Sequence, residues 1–116
     1  MQSYRELIVW QKSIELVTKV YELVKLLPKE EVYALSSQIR RAAVSIPSNI
    51  AEGHDRNSDK EFVNFLYIAR GSLAELETQI YIAVNLKYFS NEQTNIIFQD
   101  CSEIGRMLNA LIKKAK

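Results

Sequence analysis

Cysteine occurs once in this chain of 116 residues, at Cys101. That excludes an internal disulfide and suits a reducing compartment. Histidine also occurs once, at His54, whereas metal sites in helical bundles draw Glu-x-x-His pairs from facing helices. Three glycines and two prolines are too little punctuation for a chain of short strands and turns. The same three glycines, scattered, make no phosphate-cradling loop. Neither sign of charge dominates: 15 Lys and Arg stand against 14 Asp and Glu, a formal net charge of +1. No global field therefore draws the protein to nucleic acid or anionic lipid, and any basic site has to be local. No segment approaches the roughly 20 apolar residues needed to cross a bilayer. The opening residues, Met1 to Ser13, interrupt their apolar side chains with charges, unlike a signal peptide. A cytoplasmic protein with no membrane segment, folded as one domain over 1–116, is expected.

What the chain does have is apolar periodicity at helical spacing. A first helix at about 4–27 carries Leu7, Trp10, Ile14, Val17, Tyr21 and Val24, with Leu16, Val20, Leu23 and Leu27 as a second stripe beside them. Two stripes make the broad face of a bundle helix, and Leu27-Pro28 ends it. A second helix is expected at about 30–53, unless Ser36 or Ser37 caps a fresh start and leaves 30–35 as a separate turn. Its core stripe is Ile39, Ala42, Ala43, Ile46 and Ile50. Pro47 predicts a kink, and Gly53 suits a left-handed residue just past the end. Ser58-x-x-Glu61 opens a third helix at 58–88, with Phe62, Leu66, Ala69, Leu73, Leu76, Ile80 and Ala83 in four-three alternation. Gly71 in mid-helix suggests a neighbouring backbone that needs the room. Ser90-x-x-Gln93 opens a fourth at 91–113, with Ile97, Cys101, Ile104, Leu108 and Leu111. The fold expected is all-α, an antiparallel up-down-up-down four-helix bundle packed at about 20°.

Beside the core stripe of helix two runs a second row at the same steps: Gln38, Arg41, Ser45, Asn49 and Glu52. At about 100° per residue these fall in one narrow sector. A tight row of Gln, Arg, Ser, Asn and Glu suggests groups with assigned hydrogen-bond partners. Within the bundle, Arg41 or Gln38 can meet Ser72, Glu75 or Gln79 of helix three; alternatively the row faces another subunit or a ligand. A local basic surface is the other candidate, built from Arg40, Arg41, Arg56, Lys60 and Arg70. Arginine suits bidentate phosphate contact, although Glu30, Glu31, Glu52, Asp55, Asp59 and Glu61 intersperse these cations.

Catalysis finds little support. His54 sits in the HDRN loop beside Asp55 and reads as solvated. Glu75 and Glu77 are two apart and point to different faces. Cys101 falls on a core stripe, where a thiol is inert more often than nucleophilic. No catalytic residue, metal ligand or cofactor site is assigned.

Several blocks carry a family resemblance: Leu7-x-x-Trp10, Leu27-Pro-Lys-Glu-Glu31, Leu35-Ser-Ser-Gln-Ile-Arg-Arg-Ala-Ala43, Ser45-Ile46, Asn49-Ile-Ala-Glu-Gly53, Arg56, Phe62-x-x-Phe65-Leu66, Ala69-Arg-Gly-Ser72 and Glu75. Through these the chain resembles, over essentially its whole length, the four-helix-bundle proteins encoded within intervening sequences of bacterial 23S ribosomal RNA genes. The resemblance implies a ring-shaped homopentamer. A relative of that family, the accessory protein of diversity-generating retroelements, works with a reverse transcriptase and binds nucleic acid. By similarity this chain is expected to be a non-enzymatic, homo-oligomeric accessory protein binding structured RNA, or else DNA, through outward arginines. The alternative is a scaffold that assembles into a ring and binds protein partners without nucleic acid. A ring needs one face to meet a different face of its neighbour, and Gln38, Arg41, Asn49, Glu52 and Glu75 are candidates for fixing that contact or the bundle's register.

Overall fold

Most of the apolar stripes become inner faces of helices in the computed structural model, which describes residues 3–116. Met1 and Gln2, part of the domain expected over 1–116, lie outside the described residues. The helices are α1 (Ile8–Val24), α2 (Leu35–His54), α3 (Asp59–Asn85) and α4 (Asn91–Ala115). Short 3-10 turns at Tyr4–Glu6 and Lys29–Glu31 precede α1 and α2. Contacts run in opposite senses along the seams. Trp10 and Ile14 of α1 share a groove with Pro47 and Ala51 of α2, and Tyr21 and Val24 share one with Ser36 and Arg40. Gly53 of α2 lies beside Phe65 of α3. Ser45 meets Ser72 between α2 and α3, and Arg70 meets Asn109 while Tyr81 stacks on Phe98 between α3 and α4. Lys12 and Lys19 meet Glu103 and Asp100 between α1 and α4. Neighbouring helices therefore run antiparallel, and α1 closes the bundle against α4.

The core is continuous from Val9 to Ile112. In α2 the stripe Ile39, Ala42, Ala43, Ile46 and Ile50 is buried throughout. Pro47 is buried too, and the helix continues through it. On α1 the stripe Leu16, Val20 and Leu23 is buried, with Leu27 half-buried beyond the helix, while most of the other expected stripe lies outside. Val9, Ser13, Leu16, Val20, Leu23 and Val24 are buried, whereas Ile14 and Tyr21 remain 40% and 42% exposed. Ser13 is tolerated there because its hydroxyl donates to the Trp10 carbonyl at 2.8 Å, which satisfies a buried polar group locally.

Every helix differs from the periodic reading at one end or both. The first helix is shorter than 4–27, because Leu7 is extended and separates the Tyr4–Glu6 turn from α1. The second begins at Leu35 with the Lys29–Glu31 turn separate, close to the alternative of a fresh start near Ser36 and not to a start at 30. The third stops at Asn85 rather than 88, in a Schellman ending: the Tyr88 and Lys87 N–H groups donate to the Ala83 and Val84 carbonyls, both at 2.9 Å. The fourth reaches Ala115 rather than 113. Its start carries a complete capping box between Ser90 and Gln93. At the start of α3, Ser58 caps the Glu61 N–H at 3.1 Å.

The left-handed residue is Lys87, at φ 69°, and not Gly53. Gly53 is the penultimate residue of α2 and buried. A side chain with a Cβ is strained in the left-handed region by about 1–2 kcal/mol, offset in part by the extra freedom glycine has when unfolded. Lys87→Gly is therefore expected to stabilise the fold by about 0.5–1 kcal/mol, read as a higher urea midpoint at unchanged slope. A lowered midpoint would mean that the Lys87 side chain contributes more than its backbone strain costs.

Candidate functional site

The polar row of α2 divides into three parts. In its middle, the Asn49 amide donates to the Ser45 carbonyl at 2.8 Å and to Ser45 Oγ at 2.9 Å. Ser45 Oγ lies 2.9 Å from Ser72 Oγ of α3. Two small hydroxyl side chains facing each other let α2 and α3 approach closely while both remain hydrogen-bonded. At the C-terminal end, Glu52 accepts from Arg56 Nη2 at 2.8 Å and so ties the α2–α3 loop to the last turn of α2. Arg56 also lies 3.9 Å from Glu61 and 5.0 Å over the Phe65 ring.

At the N-terminal end the arrangement differs from the pairing expected of Gln38 and Arg41. Ser72 is taken by Ser45, so neither of them bonds it. Instead Gln38, Arg41, Ala42 and Ser45 of α2 and Glu75 and Gln79 of α3 line a depression of about 490 Å³. Arg41 and Glu75 are exposed and form no ion pair with each other. Gln79 Oε1 is buried without a hydrogen-bond partner among the described residues.

The five basic candidates do not form one patch. Arg40 donates to Ser36 Oγ at 3.1 Å and lines a depression between α1 and α2 together with Lys25 and Lys29. Arg41 belongs to the α2–α3 depression. Arg40 and Arg56 lie near opposite ends of α2, roughly 20 Å apart along its axis at 1.5 Å per residue. Arg56 and Lys60 flank the α2–α3 loop, the end of the bundle where α4 finishes. Arg70, on α3, donates to Asn109 of α4 at 2.9 Å and lies 4.8 Å over the Tyr67 ring.

Sequence reading missed a cluster around Tyr67. Lys116 Nζ sits 5.6 Å from the Tyr67 ring, so Arg70 and Lys116 share one aromatic. Hydrogen bonding to Lys116 pulls the phenol below its ordinary value, with the charges of Lys116 and Arg70 acting in the same direction. Lys113 and Lys114 are exposed in the last turn of α4. The three-residue step from Tyr67 to Arg70 was a signal for one of these contacts; nothing in the sequence joins Tyr67 to Lys116.

Two groups considered for chemistry are both enclosed. Burial pushes the Cys101 thiol up to about 12, so almost no thiolate exists at neutral pH. His54 is not the solvated loop residue its neighbours suggested. It ends α2 with only 4% of its side chain exposed, its ring set edge-on to Phe62 at 5.8 Å. Its Nδ1 is buried without a hydrogen-bond partner and lies 3.8 Å from Asp55. Phe62, at the start of α3, covers a histidine that the loop sequence leaves open. No helix among the described residues is long and apolar enough to cross a membrane.

A family model described as 23S rRNA-intervening sequence protein matches residues 5–110. Among solved structures, the chain is similar to a protein of unknown function from the S23 ribosomal protein family of Bacteroides thetaiotaomicron. The two are 32% identical, with a TM-score of 0.84 over 91% of this chain and 99% of that one. No curated protein matches the chain.

Proposed function

The chain belongs to the 23S rRNA-intervening sequence protein family, and from that premise we propose that it is a cytoplasmic, non-enzymatic, homo-oligomeric accessory protein that binds structured nucleic acid, RNA in preference to DNA. The observation that carries this reading is the pair of cations on Tyr67, Arg70 and Lys116. It lies toward the end of the bundle that also bears Arg56, Lys60, Lys113 and Lys114. Cations gathered around an exposed end suit a phosphate backbone, which is contacted by charge without demanding sequence. Self-association is supported by the apolar surface that α1 leaves outside. Trp10, Ile14 and Val17 line a groove of about 300 Å³ with Val44, Pro47 and Ala51 of α2. Apolar patches of this kind on a small protein mark contact surfaces, and a heterologous contact there closes a ring such as the pentamer that the resemblance implies.

A second reading, a ring-forming scaffold without nucleic acid, is favoured by one observation. Arg56 is held by Glu52 and lies near Glu61, which leaves less of its charge for phosphate. The two readings separate in a fluorescence-anisotropy titration with a folded RNA hairpin from low to physiological salt. The binding reading expects affinity that falls steeply with salt and a further loss of about tenfold, near 1.4 kcal/mol, in Arg70→Glu/Lys116→Glu. No binding at low salt establishes the scaffold reading, and salt-sensitive binding unchanged by the double variant removes the Tyr67 cluster from the interface.

A further inference from the structure

The connection between α1 and α2 gathers aromatic and cationic side chains at the end of the bundle away from the Tyr67 cluster. Tyr33 is 95% exposed there, although a tyrosine ring carries a large apolar area that folding ordinarily covers. The backbone beneath it is fixed. The Glu31, Val32 and Ala34 N–H groups donate to the Pro28, Lys29 and Glu31 carbonyls at 3.0–3.1 Å. The Glu31 carboxylate accepts from the Tyr88 hydroxyl at 2.9 Å and from the Leu35 N–H at 3.3 Å. Val32, next to Tyr33, and Tyr21 border a depression of about 400 Å³ that Lys25, Lys29 and Arg40 also line. No carboxylate borders it. Glu22 holds Lys25 at 2.8 Å, but Lys29 and Arg40 form no ion pair among the described residues. Arg40 is half-buried. Its bond to Ser36 Oγ at 3.1 Å uses one N–H donor and holds the guanidinium in place.

We propose that this end of the bundle binds unpaired nucleotides of a single-stranded nucleic-acid segment, with a base stacked on Tyr33 and phosphates on Lys29 and Arg40. The proposal rests on the nucleic-acid reading above and adds a second contact of different chemistry. An exposed aromatic ring offers a base a flat face, and every base has one, so stacking demands no particular sequence. In a paired helix those faces are already stacked, so only an unpaired stretch can use the ring. The phosphates that flank the base then need cations close by, and the planar donors of Arg40 suit them. Because the turn that carries Tyr33 is already ordered, little freedom is lost when a base docks. Tyr67 differs: Arg70 and Lys116 occupy its ring, whereas Tyr33 has no cation over its ring among the described residues. An acidic peptide would satisfy the cations and leave Tyr33 without a stacking partner.

The test is fluorescence anisotropy of the full chain at low salt with four labelled probes: decauridine, decathymidine, a decamer of abasic deoxyribose phosphates, and a blunt RNA duplex. Both base-bearing single strands are expected to bind, with the abasic decamer at least about tenfold weaker. A preference for either sugar is compatible, since stacking and phosphate contact are common to both. Tyr33→Ala is expected to weaken single-strand binding by about tenfold or more, and Tyr33→Phe, which keeps the ring, to stay within about twofold of the parent. Affinity for the blunt duplex should be the same in both variants. Tyr33 packs too little of its side chain for either change to disturb the fold. Lys29→Ala/Arg40→Gln is expected to weaken single-strand binding and flatten its salt dependence. If the duplex binds and neither base-bearing strand does, this contact is overturned and the nucleic-acid reading stands; if no probe binds, both fall. The proposal is equally overturned if the abasic decamer binds as tightly as decathymidine, or if Tyr33→Ala leaves single-strand affinity unchanged.

Discussion

Ile80→Ala is expected to destabilise the protein by about 2–5 kcal/mol, the cost of deleting a fully enclosed aliphatic side chain and leaving part of its space empty. Ile80 is completely buried on α3, between Leu76 and Ala83 on the same inner stripe. A domain of this size commonly has about 5–15 kcal/mol of total stability, so one substitution removes a large share of it. Urea unfolding should show a lower midpoint at unchanged slope, which reports lost stability without a change in the surface exposed. The matched comparison is Ile14→Ala on α1. Ile14 is 40% exposed, so the same truncation should cost under about 1 kcal/mol, because little apolar area is uncovered. If Ile14→Ala costs as much as Ile80→Ala, its outer face is covered in solution, which is the behaviour of a subunit contact.

That contrast shows where the fold was legible. On α2, α3 and α4 one stripe keeps its period along the helix while the other apolar residues are scattered, as Ile68, Ile82 and Ile96 are, so the period names the inner face and the residues it names are mostly buried. On α1 two adjacent stripes are apolar, and hydrophobicity cannot rank them. Neighbour geometry does so: α1 is clasped between α2 and α4, and the sector between them includes Ser13, which no hydrophobic count would place inside. The outer stripe of Trp10, Ile14 and Tyr21 gives the sequence more apolar residues than one bundle needs.

Helix ends were less readable because they depend on backbone conformation that several residue types can adopt. Ser58 and Ser90 were visible as caps, since a hydroxyl three residues ahead of Glu or Gln has few other uses at a helix start. Lys87 in the left-handed region was not, because glycine is the residue that usually signals that position. The polar row on α2 was visible as a row, since its spacing is a property of the helix alone. Its bonding was not. Whether Ser72 meets Ser45 or Arg41 depends on a register between helices set by the α2–α3 loop and by how closely Gly53 lets them approach. The Tyr67 cluster joins α3 to the final residue of the chain, a contact that local spacing cannot express.

Gly53 and Gly71 are expected to respond to the same substitution with opposite signs. A Cβ built on Gly53 falls 2.5 Å from Phe65 Cβ, with further Phe62 and Phe65 ring atoms at 3.2 Å. The nearest obstruction is next to the α3 backbone, not at the end of a flexible side chain, so the helices themselves must separate. Overpacking of this kind costs about 1–3 kcal/mol, more than the helix-propensity gain of up to about 1 kcal/mol that alanine brings. Gly53→Ala should therefore lower stability, and it should also disturb the cover that Phe62 gives His54. At Gly71 an added Cβ meets nothing within 4 Å, which corrects the expectation that this glycine makes room for a neighbouring backbone. Gly71→Ala is accordingly expected to stabilise by about 0.5–1 kcal/mol, through reduced chain entropy when unfolded. Thermal unfolding of the two variants beside the parent protein gives the answer directly. A stabilised Gly53→Ala would show that α2 and α3 are not held at this spacing. A destabilised Gly71→Ala would mean that the outer side of α3 at this point is covered by a partner, since the bundle alone leaves it open.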